Sequence, residues 1–511
     1  MNSAALGGRL LWSAERPINA WYDVGSDRAV WLLLALFVAC WTAFHLIANA
    51  SIDLHSDSVE MYAWSRHLSA GYYKHPPLGA FVAAVWFAVF PAADWSLYLL
   101  SIVNAAVGLL AADLIAKRYL TGDKRLLALL LLLLIPFYQF HSERFGANQL
   151  LLSTWPLATY CFLRAFETRS FRWSAAAGAM AALAMLGKYY SAYLVASFIV
   201  AALANPARWT YLKSPSPWIS AAAGLLVLAP HIHWLVRSEF LPITYAVQVH
   251  GSSSVLGLIG NVGKYVVSAL AYVAVLIAVS LLAVRPSRPA LAEALWPSQP
   301  NRRMLVVLLA ALILLPPATA PLAGMEITGL WTMSAWFLLP VVLLAPDEVK
   351  LRRLAANHVA LGVAAITIAA LLASPAVAWV RHMQGTKHGQ AYYRPVAERL
   401  TQEWRGYTGR PLSIVRGHAG LIEAVVFYSP DHPDAVPALS AAPWVTPERL
   451  EHEGWAFVCF GRDAACRTNA QNLGGPEARR IEMEITPRFL GHAGKTEVFL
   501  ATLVPSAKAA P

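Results

Sequence analysis

Residues 53–78 read DLHSDSVEMYAWSRHLSAGYYKHPPL. The stretch packs Asp53, His55, Asp57, Glu60, Arg66, His67, Lys74 and His75 into a chain that is otherwise poor in charge. Taken as a helix, it puts Asp57, Glu60, Trp64 and His67 at i, i+3, i+7 and i+10, on one face. Two carboxylates on one face suit a general base, a bound cation, or a pair whose mutual repulsion separates their pKa values. Pro76 and Pro77 then force an extended exit. The simpler alternative is a solvated loop between two membrane helices, but such loops rarely interleave aromatic and His residues with paired acids.

The surroundings of this stretch set the fold class. The chain has 511 residues, 58% of them hydrophobic and 14% charged, where a soluble domain carries about 25% charge. Mean hydropathy is +0.49. This is the composition of a polytopic α-helical membrane protein. The net charge of +11 comes from short basic clusters between apolar runs, which is a topology signal rather than a nucleic-acid surface. Residues 1–29 are mixed and polar, without the pattern of a cleavable signal.

A membrane-spanning helix needs about 20 apolar residues. Runs that meet or approach this are 30–50, 95–112, 126–140, 149–163, 173–187, 189–204, 218–236, 265–284, 304–320, 330–346 and 355–380, about 11 spans. The run 78–92 reaches only about 22 Å as a helix. If it lies along the interface, the basic clusters at 117–125, 164–172, 208–213, 285–303 and 350–353 all share the side of the N-terminus. If it crosses, all five flip to the other side. Lys and Arg mark the cytoplasmic face, so 78–92 is read as interfacial. The domains are then a cytoplasmic segment 1–29, a transmembrane body 30–380 with an outer loop 51–94, and an extracytoplasmic part 381–511.

Residues 381–511 change character, with frequent Gly, Pro and charge. Strand-like runs at Leu412–Val415, Trp455–Phe460 and Glu497–Val504, and a helical pattern at Gly420–Tyr428, predict a small α/β domain. Cys459 and Cys466 lie in it and are able to pair if it is extracytoplasmic. Cys40 and Cys161 sit in apolar segments as packing residues. On the same outer side fall His141, Glu143, Arg144 and Asn148, the turn carrying Lys188, and a loop 237–263 with Tyr245, Gln248 and His250 that looks mobile and suited to gating. An ionisable residue placed like Lys188 is functional by default, or else a snorkelling lysine. His231 and His233, at i and i+2, do not share a helix face and read as interfacial polar residues.

These residues resemble a known family, the bacterial members of glycosyltransferase family 39 and the related RgtA/B/C/D-like enzymes of the GT-C fold. The resemblance spans roughly 30–380. Members typically carry Asp-Glu-Ala-Tyr-Tyr-x-x-Trp-Ser and then Gly-Tyr-Tyr-Asp/Lys-His-Pro-Pro-Leu; here stand Asp57-Ser-Val-Glu-Met-Tyr-Ala-Trp64-Ser65 and Gly71-Tyr-Tyr-Lys-His-Pro-Pro-Leu78. Ser58 replaces the second acid of the first motif, with a carboxylate reappearing at Glu60. Asn148 stands where the family's second outer loop usually ends in Asp, and Gly187-Lys188 matches the next motif.

The resemblance implies an inverting glycosyltransferase that takes its sugar from a polyprenyl phosphate on the outer face of the bacterial cytoplasmic (inner) membrane. Asp57 and Glu60 are its expected catalytic carboxylates. Lys74, His75, Lys188, Arg144 and Arg66 are expected on the donor phosphate, and His141, Glu143, Asn148, Tyr72, Tyr73 and Tyr189 against substrate. No metal is required, although Asp57 with Glu60 suits a divalent cation. The acceptor class is open among lipid, glycan and protein. A transporter or lipid flippase is the main rival, disfavoured because charges sit at span ends and no inverted repeat is visible. A non-catalytic scaffold would leave the acidic loop without a purpose.

Overall fold

The structure is a computed structural model that describes residues 16–385 and 389–506. Residues 1–15, 386–388 and 507–511, parts of the N-terminal segment and C-terminal domain delimited above, lie outside the described residues. Among the described residues, six helices are long and apolar enough to cross a membrane: Ser26–Ala48, Asp94–Ala116, Ser216–Arg237, Val255–Val284, Pro300–Ala323 and Arg353–Gln384. The other apolar runs form the helices Gly122–Leu132, Ala147–Thr168, Phe171–Gly187 and Ala192–Ala204, and a series of 3₁₀ turns leading into the short helix Leu339–Leu344.

Ion pairs fix which helix ends share a face. Lys117, just past the end of Asp94–Ala116, meets Asp27 at the start of Ser26–Ala48 at 2.9 Å. Arg125 bridges Asp27 and Asp113, Arg353 meets Asp23 and Asp123, Arg302 meets Asp347, and Arg118 meets Glu167. The basic clusters thus gather on the face of residues 23–27. The chain between Ala48 and Asp94 begins and ends on the opposite face. Its apolar helix Leu78–Phe87 has 10 residues and reaches about 15 Å, half of what a crossing needs.

Close helix packing depends on small residues. Phe171–Gly187 crosses Ser216–Arg237 where a Cβ on Gly178 would sit 1.9 Å from the Ser220 carbonyl oxygen. The Ser220 hydroxyl donates to the Ser174 carbonyl at 2.8 Å across the same contact. Such small-residue seams let backbones approach without a hydrophobic driving force.

The C-terminal part is a five-stranded mixed sheet in the order Asp434–Val436, Ile414–Gly417, Trp455–Phe460, Glu497–Val504, Arg479–Ile485. The first three strands are parallel, and the last two join antiparallel. Trp455–Phe460 is buried along its whole length. The helix Tyr393–Thr408 buries Tyr393, Val396, Ala397, Leu400 and Trp404, a three-to-four residue spacing that faces it inward. Cys459 and Cys466 form a disulfide, while Cys40 and Cys161 are free.

This domain sits on the segment 51–94. The Asp53 N–H donates to the Gln390 carbonyl at 2.8 Å, and the Leu54 N–H donates to the Tyr428 hydroxyl at 2.8 Å. Arg394 donates to Asp94 at 2.7 Å, and its own N–H reaches Asp53 at 3.0 Å. The helix Ala419–Tyr428 packs on Ser56–Ser65, with Tyr62 edge-on to Phe427 at 4.9 Å. One apolar cluster therefore contains residues of both parts.

Candidate functional site

The helix Ser56–Ser65 carries the site. Its N-cap is His55, whose Nδ1 accepts from the Asp57 N–H at 3.1 Å. Asp57 falls in the first turn, where the positive helix end favours a carboxylate. The helix stops at Ser65, so His67 lies outside it. His67 pairs with Asp434 of the C-terminal domain and stacks on Trp444. The single acidic face expected from the sequence does not extend that far.

Asp57 and Glu60 also part company. The Asp57 side chain is 36% exposed, whereas Glu60 is buried at 1%. Glu60 accepts from the Lys74 ammonium at 2.8 Å. Glu60, expected as a catalytic carboxylate, is thus tied to Lys74, expected on the donor phosphate, whose side chain is 23% exposed. Glu423, from the C-terminal helix Ala419–Tyr428, is the third member and is equally buried at 2%. Burial pushes both carboxyls up against the pull of Lys74, with Asp57 adding repulsion at Glu60, and Glu60 and Asp57 at Glu423. Burial disfavours the Lys74 cation, but Glu60, Glu423 and Asp57 outweigh it and hold its proton on.

Around Asp57 the cations gather. The surrounding protein desolvates its carboxyl, which raises the pKa. His55, Lys74 and Arg144 outweigh that and leave it below the usual carboxylate value. The second outer segment is tied onto this helix. The Phe145 N–H donates to Ser58 Oγ at 2.9 Å, and Arg144 Nη1 reaches His55 Nε2 at 2.9 Å. A Cβ on Gly146 would lie 3.2 Å from the Asp57 Cβ, so the backbone of Gly146 forms one wall of the carboxylate.

Lys188 ends the helix Phe171–Gly187 with extended backbone. Its Nζ donates to Asn148 Oδ1 at 2.6 Å and stands 4.3 Å from the ring centre of Trp331. Burial lowers its pKa to about 7, and the field of Asp57 acts in the opposite sense. Asp57 and Lys188 thus lie on one side of the protein and within electrostatic reach. Burial lowers His75 to about 3, helped by Lys74 and Lys188, so its imidazole is neutral.

The remaining expected residues divide. Glu143 receives a hydrogen bond from Arg381 at 3.3 Å. His141 packs its ring on Phe137 and Tyr272. Tyr73 meets Tyr245 edge-on at 5.8 Å. Tyr72 is spent on structure: its ring stacks on Trp64 at 4.6 Å and its hydroxyl bonds the carbonyls of Trp64 and His67. Arg66 is exposed just past the helix end. Tyr189 places its hydroxyl 2.9 Å from His231 Nε2, and His231 Nδ1 lies 2.7 Å from the Ala70 carbonyl. His231 is therefore a buried brace between the turn after Lys188 and the motif 71–78, not the interfacial polar residue expected.

One residue near the site has no role in the sequence reading, and another is placed differently. Glu423 lies about 360 positions from Glu60, in a run whose apolar character hid it. His250, expected in a mobile gating loop, ends the helix Leu241–His250, after which the chain enters Val255–Val284. Its ring sits 5.1 Å from Trp331, and Lys188 acts with burial to lower its pKa. Among the described residues no group of three or more His, Cys, Asp or Glu is arranged to hold a metal ion.

A partly open carboxylate and a desolvated lysine within its field thus sit on a body in which, among the described residues, six helices are long and apolar enough to cross a membrane. Residues 74–234 match the family model of dolichyl-phosphate-mannose-protein mannosyltransferase. The whole fold is similar to ArnT from Cupriavidus metallidurans bound to undecaprenyl phosphate, with a TM-score of 0.59 at 13% identity, covering 94% of this chain and 99% of that one. The apo state of ArnT gives 0.58 at 15% identity, covering 93% and 98%. No curated protein sequence matches the chain. The chain therefore shares the fold of these ArnT structures, with residues 74–234 similar to the mannosyltransferase family model.

Proposed function

We propose that this glycosyltransferase moves a sugar from a polyprenyl-phosphate donor to an acceptor hydroxyl, with inversion, on the outer face of the bacterial cytoplasmic membrane. The observation that supports this most is the pairing of a partly open Asp57 with a desolvated Lys188 that feels its charge. An ionised Asp57 takes the proton of the acceptor hydroxyl as its oxygen attacks the anomeric carbon. The bond to the phosphate oxygen breaks on the opposite side of that carbon, and the leaving group is a lipid monophosphate. Lys188, with Arg144 across the site, stabilises the charge gathering on it. Neutral His75 orients a sugar hydroxyl or a phosphate oxygen, and Asn148 aims the lysine. Glu60, Lys74 and Glu423 hold the floor of the site and dock the C-terminal domain onto it.

The orientation rests on the basic clusters, which face away from this site, and on the tendency of Lys and Arg to stay in the cytoplasm. A disulfide in the C-terminal domain suits an oxidising compartment.

The test supplies purified full-length protein with radiolabelled polyprenyl-phosphate sugars and an envelope lipid extract as acceptor. The expected result is release of polyprenyl phosphate matched by an inverted glycoside. Retained configuration overturns the direct displacement. Absence of release with every donor overturns the donor class.

A further inference from the structure

The face opposite the site carries a second feature. Several of its cations are held in ion pairs: Lys117 by Asp27, Arg125 by Asp113 and Asp27, Arg302 by Asp347, Arg353 by Asp23 and Asp123. Others are not, and three of these converge. Among the described residues, Arg285, Lys350 and Arg352 pair with no carboxylate, and all three are exposed. They line the mouth of one groove of about 530 Å³ between the end of Val255–Val284 and the start of Arg353–Gln384. That volume is within the range of small-molecule sites, about 300–1,000 Å³.

The groove has a polar mouth and an apolar body. Past the three cations its walls are Val279, Leu282, Leu354 and Ile366, with Gly362 opening space between the helices. Leu282 is 70% exposed and Leu354 54%, so the groove opens sideways onto the membrane rather than into the protein. From Arg353 to Ile366 the helix rises about 20 Å, about two thirds of a hydrocarbon core of about 30 Å. No acidic residue lines it. Arg285 caps the helix end where the dipole already favours a cation. Lys350 and Arg352 come from the loop that precedes Arg353–Gln384, where the positive end of that helix disfavours a cation.

We infer that this groove binds one anionic glycerophospholipid of the leaflet opposite the site, its phosphate held by Arg285, Lys350 and Arg352 and an acyl chain laid between the two helices. Charge complementarity selects this occupant. A zwitterionic lipid brings its own cation into a mouth that has three, and a soluble anion leaves the apolar walls uncovered. The bound lipid would lock Val255–Val284 against Arg353–Gln384, and the latter helix leads into the C-terminal domain.

The experiment uses full-length protein, delipidated in detergent and titrated separately with phosphatidylglycerol, phosphatidylethanolamine and inorganic phosphate. Retained lipid is read by native mass spectrometry and stability by thermal unfolding. Phosphatidylglycerol is expected to bind at one site per chain and raise Tm, while the other two do neither. Each cation near an anionic headgroup contributes roughly 1 kcal/mol, so the Arg285→Gln, Lys350→Gln, Arg352→Gln triple variant is expected to lose on the order of a hundredfold in that affinity. Arg302→Gln, whose partner is Asp347, is the control on the same face and keeps it. Equal binding of phosphatidylethanolamine, binding of phosphate alone, or an unchanged affinity in the triple variant overturns the inference.

Discussion

Replacing Lys188 by Met separates binding from stability. Burial lowers the ammonium from 10.5 to about 7, a penalty on the charged form of about 5 kcal/mol at 1.36 kcal/mol per unit. Its folded value lies below its unfolded one, so the charge opposes folding at and below pH 7. That opposition fades as pH rises toward 10.5. Lys188→Met removes a charge that the empty protein holds at a cost, so its Tm should equal or exceed that of the wild type near pH 7. The donor phosphate is the partner that offsets the cost. A unit charge pair at about 4 Å with an effective dielectric near 20 is worth about 4 kcal/mol, and part of this is lost to desolvating the phosphate. A net loss of about 2–3 kcal/mol, roughly 30- to 150-fold in donor Kd, is expected.

The wild type should also bind donor with a pH dependence that the variant lacks. Below about 7 the lysine already carries its proton and Kd is flat. Above it, binding must draw a proton from solvent, and Kd should rise up to tenfold per pH unit. Isothermal titration in two buffers of different ionisation enthalpy reads both the affinity and the proton uptake. An unchanged donor Kd in Lys188→Met, or a wild-type Kd independent of pH between 7 and 9, would refute the reasoning and leave Lys188 as a lysine held by Asn148 and Trp331 alone.

Other consequences follow from the packing. Glu60→Leu leaves the half-buried Lys74 beside Glu423 alone, at a cost below the roughly 3–5 kcal/mol of breaking a fully buried pair; thermal unfolding should show a clear drop in Tm, whereas a fall within a degree would mean Glu423 replaces Glu60 fully. Gly146→Ala puts a methyl 3.2 Å from the Asp57 Cβ, so kcat should fall about tenfold or more through misplacement of the carboxylate while Tm stays near that of the wild type; an unchanged kcat would place the reacting atoms elsewhere. Ser58→Ala strands the Phe145 N–H in a buried site, at about 1–3 kcal/mol, and limited proteolysis of the 141–148 segment should accelerate relative to the wild type.

Much of this protein was legible in its sequence. The stretch 53–78 marked the site because charge and aromatics there contradicted the surrounding hydropathy. The strands Trp455–Phe460 and Glu497–Val504 were visible because they are apolar runs. Arg479–Ile485 was not, because it is a charged edge strand with Arg479, Arg480, Glu482 and Glu484. The helix-face argument failed at His67 because the helix ends two residues earlier and Asp434, far along the chain, takes the imidazole. Glu60 and Lys74 looked like separate tools because sequence spacing does not reveal that a loop folds one onto the other. Glu423 and His231 escaped because their partners lie in other segments, and only the packing of helices brings them to the motif.

The central claim is that Asp57 acts on the acceptor while Lys188 receives the donor phosphate. Single-turnover transfer by Asp57→Asn, measured with donor saturating and alongside donor Kd, tests it most directly. The account predicts a loss of roughly 10²–10⁴ in the transfer rate with donor affinity preserved within a few fold and Tm unchanged. Transfer by that variant at a rate close to that of the wild type would contradict it.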